Sequence, residues 1–111
     1  MLSSRERTQS KTLVPEGKMV VGLLELSIRI PDSNSLKEKR WVLKSLLARI
    51  RNKFNVSVSE VGAHDTWQMA VIGVAHIGND RRHANEVLDH IVDFAEQIRQ
   101  IEVLDSKIEF I

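Results

Sequence analysis

Apolar residues along this chain switch between two spacings, every second residue and every third or fourth. The order of those switches limits the fold more than any single residue does. Val20–Ile30 places Gly22, Leu24, Leu26, Ile28 and Ile30 on one side, and Val21, Leu23, Glu25, Ser27 and Arg29 on the other. That is a strand with one buried face. The turn cluster Pro31-Asp32-Ser33-Asn34 follows, and then Ser35-Leu36-Lys37-Glu38, which has the spacing of a capping box. Leu36, Leu43, Leu47, Ile50 and Phe54 recur at helical spacing, which predicts a helix over about 36–54. Val56–Ser59 alternates and predicts a second strand reaching about Val61. Trp67–Ile77 predicts a third, apolar on both faces in its middle and therefore central or partnered. Gly78-Asn79-Asp80 stops that strand and offers a cap. Ala84, Val87, Leu88, Ile91, Ala95 and Ile98 predict a second helix over about 81–100. Glu102–Phe110 predicts a last strand with Leu104, Ile108 and Phe110 inward.

The order β-α-β-β-α-β is the split pattern of the ferredoxin-like α+β sandwich, a four-stranded antiparallel sheet with two helices on one face. The length of 111 residues allows one such domain and little beside it. Residues 1–18 show no apolar period and read as a disordered extension, leaving 19–111 as the domain. That extension carries four of the 16 basic and two of the 15 acidic residues. The domain therefore keeps 12 basic and 13 acidic residues and is not basic all over.

The absence of cysteine excludes disulfides, thiolate metal sites and a cysteine nucleophile, and it fits a cytoplasmic setting. Apolar runs are far shorter than the roughly 20 residues of a membrane-spanning helix, so no membrane partner is expected. No phosphate loop, nucleophile elbow or dinucleotide fingerprint occurs. The four histidines supply no convincing metal set. The sequence therefore points to a non-enzymatic protein without a cofactor.

Met19-Val20-Val21-Gly22, Ser35-Leu36-Lys37-Glu38-Lys39-Arg40, Phe54–Gly62, Trp67-Gln68 and Asn79-Asp80-Arg81-Arg82 carry a resemblance. The chain resembles the YlxP-like (DUF503) family of small bacterial proteins from Met19 to about Ile111. The resemblance implies a ferredoxin-like fold and the bacterial cytoplasm. It implies no enzyme, the family's activity being uncharacterised. Members often lie beside genes for translation initiation and ribosome maturation, which implies RNA, a ribosomal particle or a translation-related factor as partner by association alone. The first 18 residues depart from the family pattern.

The helix starts are the most informative chemical feature. Lys37, Lys39 and Arg40 open the first helix, and Arg81, Arg82 and His83 open the second. This runs against the helix dipole, which favours acids there, yet cations beside free amides make an anion site. With strands 1 and 3 read as parallel neighbours, both helices begin at one edge and the two clusters form a single phosphate-binding edge. Lys44 and Arg49 or Arg51 extend the track along a helix with seven cations and one anion, Glu38. The competing reading is a solvated edge, with acidic residues of the second helix balancing the first. The stacking aromatics of an RNA-recognition motif are missing, so contact to the backbone is expected rather than bases stacked on the sheet. No signal is specific for DNA. Trp41 lies off the apolar stripe and reads as a partly buried anchor on the strand–helix loop.

The sheet face away from the helices is too apolar for free solvation. Leu23, Trp67, Met69 and Val71 mark it as a surface for self-association, with a homodimer packed through the sheets as the natural form. The alternatives are a one-residue slip of the faces or cover by the N-terminal segment.

Overall fold

A computed structural model of the chain describes residues 16–111. The expectation of a disordered extension over 1–18 lies, through Pro15, outside the described residues. The elements are β1 (Val20–Arg29), α1 (Leu36–Lys53), β2 (Ser57–Gly62), β3 (Met69–Gly78), α2 (Arg81–Glu96) and β4 (Glu102–Phe110). The four strands form one sheet in the order β2-β3-β1-β4. Every neighbouring pair is antiparallel. The order of elements and this sheet make the chain a ferredoxin-like α+β fold.

The antiparallel pairing of β1 with β3 corrects the parallel reading. Val20 pairs with Gly78 and Arg29 with Met69. The physical reason is the connection between β2 and β3, a short loop that can only reverse the chain. Helix α1 returns β2 in the direction of β1, so β3, inserted between them, must run against both. Consequently α1 starts where β1 ends and α2 starts where β3 ends, at opposite ends of the sheet. A ten-residue strand separates those ends by about 33 Å.

The core lies between the sheet and the helices. Leu24, Leu26, Ile28 and Ile30 are fully buried, as the period-two pattern requires. They meet Leu43, Leu46 and Ile50 of α1 and Leu88, Ile91 and Ala95 of α2. Gly22 continues the same face where α2 comes closest. A Cβ there would lie 3.0 Å from Leu88 Cδ1 and 3.3 Å from Phe110. Gly22→Ala is expected to lower stability by about 1 kcal/mol, since it overpacks a tight contact. A urea midpoint shifted downward at unchanged slope checks this.

Local signals set the helix ends. Ser35 Oγ accepts from the Glu38 amide at 3.1 Å. The Glu38 carboxylate accepts from the Asn34 amide at 2.6 Å, one residue before the cap rather than at the cap itself. Asp80 accepts from the Arg82 amide at 3.1 Å and caps α2. Helix α2 ends four residues earlier than its apolar period predicts. Gln97 caps it, and the amide of Ile98 donates to the Ala95 carbonyl at 3.1 Å. This tighter turn still buries Ile98.

β4 also departs from its simple alternation. The register with β1 shifts between Ser27 and Ile28, so Asp105 opposes Ser27 and Val103 opposes Ile28. Leu104 is the extra residue of this bulge and is exposed, whereas Val103 packs against the core in the place expected for Leu104. Among the described residues no helix is long and apolar enough to cross a membrane.

Candidate functional site

The basic residues separate by where the fold puts them. Arg81 and Arg82 stand at the far end of the sheet from Lys37 and Arg40, so the single anion-binding edge is not formed. The Arg81 guanidinium lies over the Phe110 ring, 4.6 Å from its centroid.

Lys39 leaves the set for a different reason. It is buried in the first turn of α1, with 1% of its surface exposed. Its ammonium donates to the carbonyls of Ala63 at 2.5 Å and His64 at 3.4 Å. It also lies 3.1 Å from Glu60 Oε2. That contact is Coulombic rather than a directed hydrogen bond, because Oε2 lies off the bonding direction. Position 39 shares the inward face of α1 with Leu43, Leu46 and Ile50. A cation there must find polar partners or remain buried unpaired. The β2–β3 loop supplies them. Ala63 has φ 59°, a left-handed conformation that costs a non-glycine residue roughly 1 kcal/mol or more. Its carbonyl is held by Lys39 and by the Thr66 amide at 3.1 Å. Ala63→Gly is expected to raise stability by a few tenths up to about 1 kcal/mol. Thermal unfolding reads that as a higher midpoint.

Arg49 and Lys53 turn toward α2. The Arg49 guanidinium is 5.4 Å, and the Lys53 ammonium 4.9 Å, from the centroid of Phe94. Phe94 in turn meets Phe54 edge-on at 5.9 Å. The two helices therefore meet through cation–π contacts, each worth about 0.5–1 kcal/mol when exposed. Among the described residues, the α1 cation that forms an ion pair within 4.0 Å is Lys39. Balancing of α1 by acids of α2 is not realised at contact distance. Arg51 donates to the Val58 carbonyl at 3.3 Å, which ties it to the β2 edge while leaving it exposed.

Lys37, Arg40 and Lys44 remain, all exposed and all on the side of α1 opposite its buried stripe. Spacings of three and four bring them to one face, with Arg51 continuing it two turns on. In their midst stands Trp41, with 82% of its surface exposed. This overturns its reading as a partly buried anchor. Lys37 precedes it by four residues and Lys44 follows by three, so one helix face joins an indole plane to a row of cations. The signal was present in the sequence, because Trp41 lies off the apolar stripe. Only the fold shows that no loop among the described residues covers it.

The expected sheet-face residues lie as the alternation placed them. Leu23 and Val71 are half-buried on the open face, Met69 is exposed at the β3 start, and Trp67 is exposed just before it. The faces have not slipped.

A small ferredoxin-like domain with a cationic outer helix matches a known sequence family. The profile described as "Protein of unknown function (DUF503)" matches residues 21–108. The chain belongs to the DUF503 family. It is 40% identical over 91 residues to the uncharacterized protein YlxP of Bacillus subtilis (strain 168), covering 82% of this chain and 99% of that protein. Among solved structures, the de novo designed protein Foldit4 is similar at a TM-score of 0.45 and 16% identity, over 82% of this chain and 93% of that one.

Proposed function

We propose that the protein is a non-enzymatic RNA binder that uses the outer face of α1. The observation that carries this reading is Trp41, four-fifths exposed between Lys37, Arg40 and Lys44. A large exposed indole is costly to leave in water, and no loop among the described residues buries it. Cations beside an exposed aromatic suit a single strand, whose phosphates meet the charges and whose unpaired base stacks on the ring. The translation setting implied by the family resemblance makes RNA the polymer to test, free or in a ribosomal particle.

The test is fluorescence anisotropy with a labelled single-stranded RNA over a salt series. Four cations on a single strand give a log–log salt slope near −3, about −0.7 for each phosphate neutralised. Lys44→Glu is expected to flatten that slope by about 1 and to weaken binding, while Arg81→Ala at the opposite end leaves both unchanged. Equal effects of the two substitutions would show that the α1 face is not the site. Absence of binding at low salt would overturn the RNA reading itself.

A further inference from the structure

We propose that the open sheet face is the contact between two copies of this chain, packed face to face with their β3 strands antiparallel across the dyad. The face left free by the helices carries Leu23, Val61, Met69, Val71 and Ile77, with Glu25 and Arg29 as the charged residues of β1 among them. An antiparallel sheet exposed to water on one side ordinarily alternates to polar residues there. Val61 covers Gly73, its Cγ1 2.9 Å from where a Cβ there would stand, so a groove of about 680 Å³ opens beside it over Leu23, Glu25 and Ala75, and Val71 stands on the same face as a ridge. The surface thus contains both a hollow and an apolar knob next to it, as a self-complementary contact requires.

Charge chooses the direction of the overlay. Asp105, Lys107 and Glu109 pair across to Ser27, Glu25 and Leu23, so all three share the open face. None has an ion-pair partner within 4.0 Å among the described residues. The signs of these three alternate along β4, one of the two edge strands of the sheet, and Glu102 adds a further acid at its start. A dyad along the strands would lay this charged half over the uncharged β2 half of the second copy. A dyad across the strands lays β4 over β4 and β3 over β3, running oppositely. With the dyad between the Val71 and Gly73 rows, each Lys107 lies over Asp105 of the other copy, each Glu109 lies over Glu102 with Arg29 on the neighbouring strand beside it, and each Val71 approaches the Val61 that covers Gly73.

The size also fits. Strands of 10, 6, 10 and 9 residues spaced about 4.8 Å apart present a face of roughly 550 Å² before side-chain relief is counted. That approaches the roughly 800 Å² per partner of a standard interface. The helices lie outermost in such a pair, so both α1 faces stay open. The proposal does not depend on the RNA reading.

Analytical ultracentrifugation of the full chain from micromolar to millimolar concentration tests it. The expected species has twice the 12.7 kDa chain mass. Val71→Glu, checked for folding by circular dichroism, is expected to sediment as a monomer. Lys107→Asp and Asp105→Lys are each expected to weaken the dimer by about tenfold or more, and the double variant to recover most of that loss. A native chain that stays monomeric to millimolar concentration overturns the proposal. So does a dimer left intact by a folded Val71→Glu. A dimer broken by Val71→Glu without recovery in the double variant overturns the antiparallel overlay.

Discussion

Lys39→Ala is expected to cost about 3 kcal/mol of folding stability, at the lower end of the range for breaking a buried ion pair. The lower end applies because Glu60 keeps 20% of its side-chain surface in contact with solvent. Three changes act together. Glu60 Oε2 loses the cation 3.1 Å away, the carbonyls of Ala63 and His64 lose their donor, and a cavity opens where the stem of the lysine passed. The left-handed Ala63 also loses its clamp, so the β2–β3 loop should loosen. For a domain of this size, the thermal midpoint falls by roughly 10–20 °C. Lys37→Ala and Arg40→Ala, two exposed neighbours on the same turn, should shift stability by no more than about 0.5 kcal/mol. A chemical melt of the three variants decides the matter, and a loss below about 1 kcal/mol for Lys39→Ala would show that the pair does not hold the loop. The contrast also bears on function: charge reversal at position 39 disrupts the fold and reports nothing about RNA.

Trp41→Ala has the largest expected effect on binding. Stacking of one base on an exposed aromatic is worth about 1–3 kcal/mol, so affinity for single-stranded RNA should fall roughly 5- to 150-fold. The fold should be unchanged, because the ring is four-fifths exposed. The salt slope should also be nearly unchanged, since no charge is removed, and this separates Trp41 from Lys44. Trp41 and Trp67 are the two tryptophans of the chain. A Trp67→Phe background therefore isolates the Trp41 fluorescence, which a stacked base should quench. Affinity that survives Trp41→Ala, or an emission unmoved by saturating RNA, would leave phosphate contact alone and exclude stacking.

The sequence by itself determined the elements and their faces. The alternation of β1 and the three-and-four spacing of both helices each assign inside and outside within a short window, and burial follows them at Leu24, Leu26, Leu43, Leu88 and Ile91. Local periodicity has this power because a side chain's direction is fixed by backbone geometry a few residues long. The tertiary structure alone decided what meets what. Whether two basic helix starts converge depends on strand direction, which the hairpin between β2 and β3 reverses, and no window of the sequence contains both helix starts. Lys39 reads as a surface cation until a loop more than twenty residues later in the chain supplies its partners. Trp41 reads as an anchor until the fold leaves it 82% exposed among the described residues. Each is a long-range outcome: the free energy of a charged or aromatic side chain depends on which distant groups replace its water.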